Sequence, residues 1–197
     1  MTASETAFAQ QVAGLLPAQG EWTESDYLWL TNHTNRLVEL TDGHIEVLLM
    51  PTERHQALVA FLYVLLRSFA ERIKGKVVFA PFRLRLPSGK FREPDLLLLR
   101  STRDPRRHNA FWDGADLVVE VLSEDDPSRD LVTKRSEYAL AGVAEYWIVD
   151  GQNETVTVLR LEDSAYVVHG TFGRGSVVQS ALAPDLFFPV TDLLDTE

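Results

Sequence analysis

The chain contains no cysteine. Disulfides, thiolate catalysis and cysteine-bound zinc or iron–sulfur clusters are therefore excluded. It also has no apolar run approaching the roughly 20 residues that span a bilayer, so no membrane partner is expected. The opening stretch MTASETAFAQQ lacks the basic start of a secretion signal, and a cytoplasmic location is the default expectation. Basic charge is scarce too: 19 Lys and Arg stand against 29 Asp and Glu, a net charge of −10. A broad, non-specific nucleic-acid surface would need the opposite sign. Repeats, low-complexity segments and a dividing linker are all missing.

What is present is an ordinary globular composition. The 197 residues, 45% of them apolar, suffice for one domain with a substantial core. Residues 1–20 are polar and rich in Ala and Gln, and we expect a flexible arm there. Residues 21–197 are expected to form the single domain. In TESDYLWL, Thr23 precedes Asp26 by three positions, which predicts a short capped helix. RLVEL-TDG-HIEVLLM, residues 36–50, predicts a hairpin turning at Asp42-Gly43. Leu58, Phe61, Leu62, Leu65, Leu66 and Phe69 recur at helical spacing within residues 53–75, with Gly75 as the C′ residue.

Strands follow. Arg83 and Arg85 alternate with Phe82, Leu84 and Leu86, and Pro87-Ser88-Gly89 turns the chain. Leu96–Leu99 is apolar on both faces, as in a central strand. A helix is predicted over residues 126–143, with Asp126 as N-cap, Pro127 at N1 and Gly142 past its end. EYWIVD, residues 145–150, reads as a strand, and residues 155–161 and 165–169 as a hairpin. The fold class is α/β (α+β): a central mixed β-sheet flanked by helices.

Three residues stand out chemically. Glu120 lies inside the apolar strand LVVEV, where an unpaired carboxylate costs several kcal/mol, roughly. Asp95 opens the Leu96–Leu99 strand, either as a strand-entry cap or as a partner for Glu120. If adjacent strands bring the two acids together, one must be protonated or a cation must lie between them. A hard divalent cation suits such oxygen ligands. Leu131, Lys134, Tyr138 and Ala141 share a helical face, so that Leu131 and Tyr138 face the sheet and Lys134 points inward. The alternative for Lys134 is an exposed i,i+4 pair with Asp130, worth about 0.3–0.5 kcal/mol. Arg100, Arg103, Arg106 and Arg107 cluster beside Asp104, His108 and Asn109. A solvated loop is the usual meaning of such a run, and a local phosphate footprint is the alternative.

ELTDGHIEVLLMPTERHQAL, REPDLLLLR, DLVVEVLSEDD with a following Asp130 and Lys134, and YALAGVAEYWIVD together resemble the Uma2 (DUF820) family of inferred endonucleases. That family belongs to the PD-(D/E)XK nuclease superfamily, with its restriction-endonuclease-like fold. The resemblance covers roughly residues 22–190. It implies that Asp95 and Glu120 bind Mg²⁺ (or Mn²⁺), with the main-chain carbonyl of Val121 completing the metal site. The superfamily's lysine normally lies two residues after the second acid, where this chain has Leu122. Lys134 matches the helix lysine that Uma2-like sequences carry instead. His55 matches a family histidine that orients water or binds the metal, Glu39 and Glu93 match positions at the edge of the site, and Tyr138 packs under Lys134. The implied activity is metal-dependent hydrolysis of DNA phosphodiesters, with DNA as partner and a homodimer as the acting form. A catalytically weak or inactive nucleic-acid-binding or regulatory module is the alternative. Trp22, Tyr27, Leu28 and Trp29, or a hairpin edge, are the expected dimer surface.

Overall fold

The computed structural model describes residues 14–87, 89–123 and 128–196. Its helices are α1 (Glu24–Asn32), α2 (Glu53–Ile73), α3 (Arg135–Leu140) and α4 (Val190–Leu194). The long sheet uses β3 (Lys76–Phe79), β6 (Leu96–Leu99), β8 (Leu117–Val121), β9 (Glu145–Asp150), β10 (Thr155–Glu162) and β11 (Ala165–Gly173), in the order β11-β10-β9-β8-β6-β3. A second sheet has the order β2-β1-β5-β4-β7, from β1 (Val38–Thr41), β2 (His44–Val47), β4 (Arg83–Arg85), β5 (Phe91–Arg92) and β7 (Phe111–Trp112). β12 (Val177–Gln179) and β13 (Phe187–Pro189) form a separate pair. The fold is α+β with mixed sheets, as expected.

Burial on both faces explains the unbroken apolar run of β6. Leu96 and Leu98 pack with Leu58, Leu62 and Leu66 of α2 and with Phe188, Val190 and Leu193 near the C-terminus. Leu97 and Leu99 pack the other way, with Leu84, Trp112, Val118, Tyr138 and Tyr146. Each fully buried leucine contributes about 1.5–3 kcal/mol. β8 and β9 run parallel, so the chain must cross over between them, and the helix ending at Leu140 lies on that crossover.

Local signals did much of the placing. Thr23 and Asp26 form a reciprocal capping box on α1. Asp42 and Gly43 have φ of 49° and 76°, the pair of positive values that a two-residue hairpin turn requires. No helix among the described residues is long and apolar enough to cross a membrane.

Several expectations are corrected. Residues 1–13, Asp126 and Pro127 lie outside the described residues, so most of the arm and the expected start of the 126–143 helix are not described. The end of the arm is held: the Gln19 amide pairs with both backbone groups of Ile45 at 2.9 Å. Trp22 and Tyr27 are not surface residues but core, packed with Val38, Leu40 and Phe91. Of the four helix residues expected at a dimer surface only Trp29 is strongly exposed, at 58%. Leu131 is exposed rather than sheet-facing, because residues Arg129–Lys134 form a π-helical segment before α3. A π turn holds more residues than the 3.6 of an α-turn, so a three-residue step falls further short of a full turn. Leu131 thereby swings away from the face that carries Lys134.

The end of α2 also differs. The left-handed residue is Lys74, with φ of 59°, while Gly75 is needed for close approach: a Cβ there would lie 2.6 Å from the Leu99 carbonyl oxygen. Gly75→Ala should therefore lose about 1–3 kcal/mol through overpacking. Lys74→Gly should be neutral or gain up to about 1 kcal/mol. Thermal unfolding of the two variants checks this, and an equal loss in both would contradict it.

Candidate active site

The site forms where strand ends, the start of α2 and the crossover meet. Leu96 pairs with Val119 across antiparallel β6 and β8, so Asp95, one residue before β6, stands opposite Glu120. Asp95 Oδ2 accepts the Val121 amide at 2.7 Å and lies 3.2 Å from His55 Nε2. Asp95 is thus both a cap for a strand-end amide and a carboxylate facing the site. His55 is in the first turn of α2, its own amide held by the Thr52 hydroxyl at 3.2 Å. Burial opposes charge on its imidazole, but Asp95, the Val121 backbone and Glu120 outweigh that and raise its pKa. His55 Nδ1 is buried with no hydrogen-bond partner among the described residues.

Glu120 is 4% exposed and Lys134 equally so. The Lys134 amine donates to Glu120 Oε1 at 2.8 Å, and the Tyr138 hydroxyl donates to the same oxygen at 2.7 Å. Lys134 Nζ also lies 3.0 Å from Asp130 Oδ1 and 3.6 Å from Glu39 Oε1. Both sequence readings of this lysine hold in part. It points inward to Glu120, and it pairs with Asp130, but that pair is buried rather than exposed.

Strand alternation supplies the rest. Val38 and Leu40 pack on Tyr27, which turns Glu39 to the opposite face, toward the π segment. Glu39 meets Arg129 there and has Arg92 at 3.5 Å. Arg92 in turn forms a fork with Glu137, at 2.7 and 2.8 Å. Glu93 turns away from the cluster and accepts the Val38 amide at 3.0 Å. Sequence reasoning did not single out Arg92, Arg129 or Glu137. Each lies among other charged residues, so no local signal marked it.

Charge in this cluster is unbalanced. Glu39, Glu120 and Asp130 are buried against the buried Arg92 and Lys134, with the partly buried Arg129 beside Glu39. Burial opposes the charge on Glu39, but Lys134, Arg92 and Arg129 hold its pKa below the ordinary value. Burial likewise opposes charge on Lys134, yet Glu120, Glu39 and Asp130 keep it protonated. Arg92 and Arg129 serve Glu39, which leaves Lys134 alone beside both Glu120 and Asp130. Burial therefore pushes Glu120 up to about 8 despite Lys134, with Asp130 and Asp95 adding repulsion. Asp130 is raised for the same first reason.

A family model described as "Uma2: Putative restriction endonuclease" matches residues 24–191. The chain belongs to the Uma2 family. A solved structure titled as a "putative nuclease belonging to DUF820", from Anabaena variabilis, superposes with a TM-score of 0.71 at 20% identity. The match covers 87% of this chain and 97% of that one, and it establishes the shared fold. No curated protein matches the chain. In this Uma2 protein the expected site residues form two contacting pairs, Asp95 with His55 and Glu120 with Lys134, and the Val121 amide ties Asp95 to the strand of Glu120. Among the described residues, no group of three or more His, Asp or Glu is arranged as a ready metal cage.

Glu93 gives a test of this electrostatic account. Burial, aided by Glu39, raises its pKa from the ordinary 4.5 to about 7. Its folded-state proton is held more tightly than in the unfolded chain. Its stabilising contribution is full below pH 4.5 and is lost as pH rises through about 7. The loss should be about 3 kcal/mol. Glu93→Gln should remove this part of the pH dependence in urea unfolding measured in EDTA. An unchanged slope between wild type and variant would contradict the assignment.

Proposed function

We propose that this Uma2 protein is a metal-dependent endonuclease that hydrolyses DNA phosphodiester bonds, with residues 21–197 as one catalytic domain. The observation that carries this reading is the meeting of Asp95 and Glu120 at the ends of neighbouring strands, with Lys134 reaching the same point from the crossover. Asp95, Glu120 and the Val121 carbonyl would hold Mg²⁺ or Mn²⁺. These are hard oxygen donors, and two carboxylates completed by waters is the usual Mg²⁺ arrangement. The excess of buried acids over buried cations and the unpartnered His55 Nδ1 both fit a cation there. Bound, the metal supplies Lewis-acid stabilisation of the phosphoryl oxygens and a more acidic water.

The chain's own groups have separate tasks. Lys134 sets a fixed positive charge beside Glu120, where it stabilises negative charge growing on the phosphoryl oxygens. Asp130, Glu39 and Tyr138 hold that amine and Glu120 in place. His55 orients Asp95 through Nε2. Cutting both strands of a duplex requires two such sites, and we propose a homodimer.

Two observations favour a second reading, a catalytically weak or inactive module that binds nucleic acid or regulates. Glu120 Oε1 is already satisfied by Lys134 and Tyr138, and the chain carries a charge of −10.

The two readings differ in the test tube. On the first, the purified protein binds Mg²⁺ or Mn²⁺ by calorimetry and nicks supercoiled plasmid. Glu120→Gln and Asp95→Asn should abolish both, with cleavage down at least about 10²-fold. Lys134→Ala should lose cleavage while still binding metal. Absence of metal binding at millimolar Mg²⁺ would leave the second reading. Sedimentation of the wild type tests the dimer.

A further inference from the structure

A cation-lined cavity lies away from the carboxylates. It has a volume of about 450 Å³ and is lined by Lys76, Arg103, Arg107 and Asn109, with Phe82 and Trp112 as an apolar wall. Lys76 pairs with Leu99, at the end of β6 opposite Asp95. Four strand residues separate Asp95 from Leu99, roughly 13 Å at about 3.3 Å each. Lys76 and Val78 share the sheet face of Asp95, Leu97 and Leu99. The cavity and the carboxylate site have no lining residue in common.

Most of its charge is uncommitted. Among the described residues, Lys76 and Arg103 form no ion pair, and Arg107 acts on Asp104 electrostatically without a direct ion pair. Arg107 donates to the Thr102 carbonyl, while its Nε is buried without a partner. The cavity's acid, Asp104, is taken up by Arg106 at 2.8 and 3.0 Å. The loop is anchored, since the Thr102 amide donates to the Lys74 carbonyl at 2.8 Å. Phe82 is partly buried and braced edge-on by Trp112, with ring centroids 5.5 Å apart. Two free cations and Arg107 beside an aromatic wall suit a phosphate carrying a flat base.

We propose that this cavity binds a nucleotide unit of the nucleic acid that flanks the cut, its phosphate on Lys76, Arg103 and Arg107 and its base against Phe82. The separation of roughly 13 Å corresponds to about four steps of 3.4 Å. The polymer as source rests on the endonuclease reading, whereas the phosphate chemistry stands on the cavity alone.

The test uses the full chain in EDTA and a short labelled DNA single strand followed by anisotropy. The double variant Lys76→Glu/Arg103→Glu should bind at least about 10-fold more weakly, with a salt slope smaller by about 1.4, or 0.7 per lost phosphate contact. Free dAMP should compete with the strand on wild type. Hydrolysis of bis(p-nitrophenyl) phosphate with Mg²⁺ should be unchanged in the variant. Equal strand affinity in variant and wild type would overturn the proposal, as would a wild type that binds neither strand nor dAMP. Binding of dAMP without the strand would refute the polymer and leave a free nucleotide as ligand. If wild type hydrolyses nothing but the variant still loses strand binding, the endonuclease reading fails and the cavity assignment survives.

Discussion

The buried amine of Lys134 joins parts of the molecule that no other single contact connects. It sits among Glu120 of β8, Asp130 of the π segment and Glu39 of β1. The crossover helix, the long sheet and the second sheet therefore share one counter-charge. Removing a partner from such a cluster costs several kcal/mol, because the remaining charges stay buried. A well-packed apolar replacement would often be as stable, so stability alone does not account for the arrangement. Its geometry is better understood as fixing a charged centre at the strand ends.

That centre depends on register. A one-residue slip between β6 and β8 would send Asp95 and Glu120 to opposite faces. The four leucines alone leave the register open, and the polar ends fix it: the Val121 amide donates to Asp95 and the Arg100 amide to Asp116, each at 2.7 Å. The π segment makes the second adjustment. It turns Asp130 inward together with Lys134 and leaves Leu131 outside. π-bulges of this kind recur at functional sites, where they re-aim a side chain at some cost to helix geometry.

Much of this was legible beforehand, for identifiable reasons. The hairpin at Asp42-Gly43, the α1 capping box and the apolar stripe of α2 are local signals, and each was where its residues predicted. Glu120 was conspicuous because a charge interrupts an apolar run. Trp22 and Tyr27 were misjudged as surface because a short helix with aromatics does not reveal what will cover it. Gly75 was read as a conformational residue, but its constraint comes from Leu99, a residue distant in the chain. Arg92, Arg129 and Glu137 carried no local anomaly at all, because charged residues in strands and helices are usually solvated.

By itself the amino-acid sequence determined the elements, the absence of thiol chemistry and the identity of the acids and the lysine that belong together. These follow from properties each residue carries locally: periodicity, turn preference and the cost of burying a charge. Only tertiary structure decided which charges share Lys134, that the acids outnumber their buried partners, and that Lys76, Arg103 and Arg107 line one cavity. Such facts depend on distances between segments far apart in the chain, and on which groups lose contact with water when those segments pack.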